Sequence, residues 1–303
     1  MTIEDYRRFY AEEISFVANL NSPALIEAFA KTPREKFLGP GPWQVGSPEA
    51  RALAALGLGQ ASYITVDNPQ HLYHNLIVVI DAARELNNGQ PSALARWIDA
   101  LDLKPGNRVY HLGSGVGYYT AIIAEMVGPG GSVVASEVDP GLAERAQNNL
   151  AEYKNVTVHA GDGATFDPGE CDAMLINAGV TLPHALWLDR LGDGGRLVVP
   201  ITMATSKTLG TGSMAKIVRH LDRFSVQGVG PVAIFSCTSL RDPEMEAALR
   251  KGLTTQTLFK VKSLRRDAHD AVESCVVHGS GMCLSILEPG AAQEPSNSAA
   301  VNA

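Results

Sequence analysis

HLGSGVGYYTA, residues 111–121, sets Gly113, Gly115 and Gly117 at alternate positions between an apolar run ending in Leu112 and a helix-forming run starting at Tyr118. Glycine lets the backbone turn sharply and lets a ligand lie against the main chain without interference from a Cβ. A helix that begins at Tyr118 presents unpaired N–H groups at the same place. Upstream, RVYHLG (108–113) reads as a strand; downstream, YYTAIIAEMVG (118–128) reads as a helix. The segment is a strand-to-helix turn shaped to receive a ligand.

The pattern repeats outward from this turn. SVVASEV (132–138), VTVHAG (156–161), DAMLINAG (172–179) and GRLVVPI (195–201) are short apolar strands, separated by helical stretches at 140–153 and 184–191. Strands alternating with helices mean βαβ units and a parallel sheet covered on both faces. The fold class is therefore α/β, doubly wound.

The spacing of the glycines bears on the ligand. A dinucleotide fingerprint needs a third glycine one position later, so that a pyrophosphate can sit on the helix N-terminus; here that position is Tyr118. The pattern suits a ligand without pyrophosphate, such as S-adenosylmethionine, and disfavours an NAD-binding dehydrogenase. Glu137, at the tip of the second strand, lies at the offset expected of a carboxylate that accepts from ribose hydroxyls. Asp139, before Pro140, reads instead as a helix N-cap. Asp162, in the Gly161-Asp162-Gly163 turn, is read as accepting from an adenine amino group, beside the plain alternative of an Asx-turn.

The flanks are less regular. Residues 2–31 read as two helices broken at Asn21-Ser22-Pro23, and ALARWIDALDL (93–103) as an amphipathic helix with Trp97 in the core. Pro40 to Ser62 resists assignment, and HLYHNLIVVIDAA (71–83) fits strand or helix. MAKIVRHLDRFSVQGVGPVAIFSC (214–237) looks like paired strands closing the sheet's far edge. RDPEMEAALRKGL (241–253) reads as a helix and GMCLSILEP (281–289) as a last strand. This divides the chain into an N-terminal helical and pocket-forming segment (1–92), a cofactor-binding core (93–235), a C-terminal extension (236–287) and a disordered tail (288–303), which lacks apolar residues to offset the cost of ordering.

The bulk properties narrow the function classes. A formal net charge of −7 over 303 residues leaves no electrostatic footprint for nucleic acid or an anionic membrane. No apolar run is long enough to span a bilayer, and the charged N-terminus is no signal peptide, so a soluble cytoplasmic protein is expected. Cys171, Cys237, Cys275 and Cys283 show no C-x-x-C or Cys/His metal spacing and read as reduced, buried thiols. His71 and His74, with Asp67 and Asp81, are read as surface or pocket-lining polar residues in preference to a metal set. No metal is expected.

PREKFLGP (33–40), GQPS (89–92), LKPGNRVYHLGSGVGYYTAIIAEMVGPGGSV (103–133), NVTVHAGDGATF (155–166) and LGDGGRLVVPI (191–201) together resemble the protein-L-isoaspartate O-methyltransferase family, over roughly residues 25–235. The resemblance implies a Rossmann-like methyltransferase fold with a seven-stranded, mostly parallel sheet and a reversed final hairpin. It implies methyl transfer from S-adenosylmethionine to a carboxylate. That reaction needs little general-base help, because an ionised carboxylate is already a nucleophile. Two departures stand out: His111 replaces an acidic residue near the cofactor's amino end, and Gly89-Gln90-Pro91-Ser92 is a shortened version of the family's Gly-Gln-Thr-x-Ser segment. The block 64–92 is then expected to wall an acceptor pocket of altered shape.

The expected cofactor-binding residues are His111, Gly113, Ser114, Gly115, Gly117, Tyr118, Tyr119, Thr120, Glu137, Val138, Gly161, Asp162 and Gly163. Ser92, Gln90 and Asn177, the last at the end of the fourth strand, are the expected catalytic-site residues. The acceptor is a peptide or a small molecule, and oligomeric state is left open. Two rivals remain: a methyltransferase acting on another small molecule or modified peptide, and a cofactor-binding module without catalysis.

Overall fold

The computed structural model describes residues 1–47, 50, 58, 62–254 and 256–291, and the chain divides into two compact units, Met1–Asn177 and Ala178–Ala303. The first unit opens with helices Ile3–Ala18 and Pro23–Lys31. Thr2 and Asp5 form a reciprocal capping box on the first helix, and the Ser22 hydroxyl caps the second, ahead of Pro23. The Asp99 carboxylate accepts from the N–H groups of Asn21 (3.1 Å) and Ser22 (3.0 Å), tying this corner to the helix Pro91–Ala100.

A small antiparallel sheet follows, in the order β2-β1-β3-β4, from β1 (Trp43–Gly46), β2 (Ile64–Val66), β3 (Ile77–Asp81) and β4 (Leu86–Asn87). Leu38, Val45, Leu72 and Val78 form its buried cluster. The 71–83 stretch, open between strand and helix from its sequence, contains the end of a short 3₁₀ turn (Pro69–Leu72) and the whole of β3. Within Pro40–Ser62, β1 is defined; residues 48–49, 51–57 and 59–61 lie outside the described residues.

The main sheet of this unit has four parallel strands in the order β8-β5-β6-β7: β5 (Arg108–Leu112), β6 (Ser132–Glu137), β7 (Val156–Ala160) and β8 (Cys171–Ile176). Helix Tyr118–Val127 follows β5, and helix Pro140–Asn149 follows β6. The second unit is built on β9 (Leu191–Ala204), β10 (Leu209–His220) and β11 (Arg223–Phe235), paired antiparallel in sequence order. Counted within their own units, four strands (β5–β8) and these three give the expected number of seven. Three more strands add to β11: β12 (Ser263–Arg265), then β14 (Met282–Ser285), then β13 (Cys275–Gly279). The final strand read from GMCLSILEP corresponds to β14; β12 and β13 had no clear period in the sequence.

Helix Pro243–Thr254 accounts for the helical reading of 241–253. Of the stretch 288–303, Glu288 pairs with Lys262 at the surface, and residues 292–303 lie outside the described residues. Among the described residues no helix is long and apolar enough to cross a membrane.

One buried charge organises the N-terminal part. Arg34, fully buried, donates to the carbonyls of Leu72 (2.7 Å), His74 (3.2 Å) and Leu76 (2.8 Å). Its guanidinium also lies over the rings of Tyr10 and Tyr118, each about 6 Å from the ring centre. The Arg34 N–H donates to the Tyr73 hydroxyl, which in turn donates to the Glu35 carboxylate. Burial, then that carboxylate, holds the Tyr73 phenol well above its ordinary pKa. A planar fork can reach carbonyls on several sides; a single ammonium nitrogen cannot. Arg34→Lys keeps the charge yet is expected to lower the free energy of unfolding by about 2–4 kcal/mol, because buried carbonyls lose charged donors. Urea titration of the two proteins measures this, and an unchanged midpoint and slope would remove Arg34 from its organising role.

Candidate active site

The parallel strands end in step. Leu112 of β5 stands beside Ser136 of β6 and Ile176 of β8, and Glu137 stands beside Ala160 of β7. The segments that follow, at 113–117, 137–139, 161–163 and 177, therefore emerge along one carboxyl edge of the sheet, where open α/β sheets bind ligands. Backbone bonds stitch them together: Gly113 and Ser114 N–H donate to the Ser136 carbonyl, Gly161 N–H to that of Glu137, and Asn177 N–H to that of Leu112.

Gly113, Gly115 and Gly117 all have positive φ, at +77°, +55° and +91°. Gly117 also has no room for a side chain: a Cβ would lie 2.8 Å from Leu150 Cδ1. Position 115 meets no such obstacle within the protein, so its positive φ, not packing against a side chain, favours glycine there. The Asn149 amide braces the loop from below, donating to the carbonyls of Val116 (2.9 Å) and Phe37 (3.2 Å). Nothing in the sequence period marks Asn149 for this, since an asparagine near a helix end is commonplace.

Glu137 is buried, 8% exposed, and its two oxygens are oriented separately. Oε2 accepts from Gly115 N–H at 2.8 Å and Oε1 from Asp139 N–H at 3.0 Å. Asp139 is the helix N-cap, accepting from Leu142 N–H at 2.9 Å. That bond, then Arg84, holds its carboxyl below the usual range. The neighbouring Val138 side chain is 53% exposed, an apolar surface at the strand tip.

Asp162 forms the Asx-turn: its Oδ1 accepts from Ala164 N–H at 2.9 Å. Gly163 is fixed by packing, because a Cβ there would lie 2.2 Å from Ser136 Oγ and 2.5 Å from the Tyr110 hydroxyl. Tyr110 donates to the Gly163 carbonyl at 2.8 Å, a buried hydroxyl within an apolar strand that had no assigned part in the site.

His111, fully buried on β5, links the glycine-loop strand to its surroundings. With the Asn177 amide nitrogen donating to Nε2 (2.8 Å), the ring carries its proton on Nδ1 and donates to Thr120 Oγ1 (2.8 Å). Burial pushes the imidazole pKa down to about 4. The Asn177 Oδ1 and the Ser114 hydroxyl are both buried without a hydrogen-bond partner. Two orphaned polar atoms beside a glycine loop are what a bound polar ligand would satisfy. They suit the ammonium and carboxylate of an amino-acid moiety, as the Glu137 carboxylate suits a ribose diol, so these residues fit S-adenosylmethionine.

The remaining expected residues lie farther out. Tyr118 is wholly buried, edge-on to Phe37 at 5.6 Å and to Tyr119 at 5.0 Å, so its ring belongs to the core and its backbone alone faces the loop. The Tyr119 hydroxyl reaches the Gly89 carbonyl at 3.5 Å, setting the 89–92 segment against the helix that follows the glycines. There Gln90 Nε2 donates to Ser92 Oγ (3.2 Å), and the Asn75 side chain accepts from Ser92 N–H (3.0 Å). His71 and His74 are exposed, and Asp81 of the supposed set pairs with Arg84.

The buried imidazole gives the fold a pH dependence. An unfolded chain binds the His111 proton near pH 6.5, the native fold only near 4. Between those values the unfolded state holds the extra proton, so stability is complete above about 6.5 and falls as the pH drops toward 4. The loss amounts to roughly 3 kcal/mol. Urea titrations across this window should show that slope in the native chain and a flatter one in His111→Gln; equal slopes would mean the imidazole is not held neutral.

The family model described as protein-L-isoaspartate(D-aspartate) O-methyltransferase matches residues 16–222. Protein-L-isoaspartate O-methyltransferase 1 of Archaeoglobus fulgidus is 35% identical over 164 residues, 50% of this chain and 76% of that protein. The Ignicoccus hospitalis enzyme is 33% identical over 174 residues, covering 54% and 79%. Among solved structures, a protein-L-isoaspartate O-methyltransferase superposes with a TM-score of 0.58 at 21% identity, over 80% of this chain and 69% of that one. A Plasmodium falciparum chain assigned to the same enzyme, in complex with S-adenosyl-L-homocysteine, gives 0.55 at 16% identity over 77% and 98%. The structural likenesses establish the fold, and the sequence matches establish the lineage: the chain belongs to the protein-L-isoaspartate O-methyltransferase family.

Proposed function

We propose that the chain methylates the carboxylate of isoaspartyl residues in peptides, with S-adenosylmethionine as donor. The observation that carries the reading is the Glu137 carboxylate fixed against the glycine loop at the carboxyl edge of the sheet, beside two orphaned polar atoms. Family membership supports the same donor and the same class of acceptor.

A carboxylate offers about four lone-pair directions; Gly115 and Asp139 occupy two at Glu137, leaving the others for the ribose hydroxyls. Val138 offers an apolar surface to the adenine ring. Asp162 keeps its second oxygen for the adenine amino group, and the backbone of Gly161 and Gly163 lines the ring edge. Gly113, Gly115 and Gly117 admit the ligand against the main chain, and the N–H groups of Tyr118, Tyr119 and Thr120 add the positive end of a helix. Ser114 and Asn177 take the methionyl end, with His111 holding Asn177 in place. Gln90 and Ser92 face the acceptor.

When bound, the cofactor supplies a methyl group on a positively charged sulfur. Its transfer to the acceptor carboxylate would give a methyl ester and S-adenosylhomocysteine. No proton has to move, so the protein's task is alignment and exclusion of water. Holding nucleophile and methyl carbon in line removes much of the entropic barrier. Opposite charges that cancel during the reaction favour a dry site.

Calorimetry and a methyl-transfer assay test the assignment together. S-adenosylhomocysteine should bind, NAD should not, and Glu137→Ala should weaken binding by about 1–3 kcal/mol. An isoaspartyl peptide should accept methyl while its ordinary aspartyl counterpart does not. Ser92→Ala should lower kcat/KM about tenfold, equivalent to about 1.4 kcal/mol of transition-state stabilisation, with S-adenosylhomocysteine affinity kept. Binding without transfer to the isoaspartyl peptide would reduce the chain to a cofactor-binding protein or redirect it to another acceptor.

A further inference from the structure

We infer that His269, Cys275, His278 and Cys283 form a structural zinc site in the C-terminal unit, beyond the stretch that matches the family. Their donor atoms, one from each residue, all lie within 4.8 Å of one another. Two thiolates and two imidazoles are the donor set of tetrahedral structural zinc. With bonds of about 2.3 Å to sulfur and 2.0 Å to nitrogen, sulfur and nitrogen ligands sit about 3.5 Å apart; Cys275 Sγ and His269 Nε2 are 3.7 Å apart.

The strand geometry that assembles the set is particular. Residues three apart on a regular strand point to opposite faces, so Cys275 and His278 on β13 would be separated. The pairing shifts between Cys275 and Val277: Cys275 stands beside Ser285, Val277 beside Leu284 and His278 beside Cys283. The extra residue turns Cys275 onto the face shared by His278 and Cys283. A bulge commonly re-aims a side chain for function.

The outer contacts fit as well. The side chain of His269 is 8% exposed. Its Nδ1 bonds to the Asp267 carbonyl at 2.8 Å, so the proton sits on Nδ1 and the Nε2 lone pair is left for a metal. A carbonyl or carboxylate partner on the far nitrogen is the usual orienter of a metal-bound histidine. The Nδ1 of His278 is buried with no hydrogen-bond partner. The spacing is H-x5-C-x2-H-x4-C; a search for paired cysteines passes over it because each close pair joins one cysteine to one histidine. The ion would clip the loop before β13 to the β13–β14 hairpin.

The full chain, purified under reductant without chelator, should carry about one zinc per molecule by elemental analysis. Replacement by cobalt(II) should give the visible bands of a tetrahedral ion and a thiolate charge-transfer band. Cys283→Ser and His269→Ala should lower zinc content at least about tenfold, whereas Cys237→Ser, which removes a cysteine outside the cluster, should retain it. The wild-type zinc content and cobalt spectrum do not depend on any variant folding. Wild-type protein that takes up no zinc on reconstitution, a Cys275–Cys283 disulfide in the reduced preparation, or full zinc content in both ligand variants would overturn the assignment.

Discussion

The bond from Gly115 N–H to the Glu137 carboxylate is the contact on which the site depends. It joins the loop after β5 to the tip of β6, and it requires the carboxylate to be buried where the backbone can reach it. A buried carboxylate is costly unless its lone pairs are met. The backbone meets part of that need at a fixed angle, through Gly115 and Asp139 N–H. The positive φ at the three glycines follows from the same constraint, because the loop must fold back over the strand tips to bring Gly115 within 2.8 Å. In-step strand ends are the precondition: a one-residue slip between β5 and β6 would turn Glu137 to the other face of the sheet.

The N-terminal residues depend on a charge handled differently. Arg34 replaces an anionic partner with carbonyls from the turn at 72–76 and with the faces of Tyr10 and Tyr118. The arrangement locks the 72–76 turn, and Asn75 within it then accepts from Ser92 N–H. Tyr119 fixes the adjoining Gly89 from the other side. The short GQPS segment is thus held by contacts on both flanks.

The parallel core was legible because strands covered on both faces read as apolar runs bounded by glycine or proline. Glu137 and Asp139 were separable by position alone, the one at a strand tip and the other before Pro140. The carbonyl partners of Arg34 were not legible, because a carbonyl leaves no trace in a side-chain pattern. β3 is too short an apolar run to be told from a buried helix turn by period. Tyr118 misled in part: the residue that breaks the dinucleotide fingerprint does so with a ring that packs against Phe37. Asp162 shows the limit of motif reading, since its turn forms with or without a ligand. The Cys/His cluster lay hidden because a single bulge decides which face Cys275 occupies.

His111 makes the last point about charge. A carboxylate in its place would set a negative charge near the ammonium of an amino-acid ligand; an imidazole held neutral by burial cannot. What it provides is order. One nitrogen is spent on Thr120 and the other on Asn177, so the Asn177 amide is held with its oxygen unpartnered. Recognition at that end of the site would then rest on a fixed dipole in place of a full charge. A dipole attracts an ammonium less strongly than an anion does, but it also costs less to bury, and it does not titrate near neutral pH. With S-adenosylmethionine bound as proposed, the exchange of acid for histidine would shift the work of this position from attraction to alignment, which is the larger need of a reaction whose nucleophile arrives already charged.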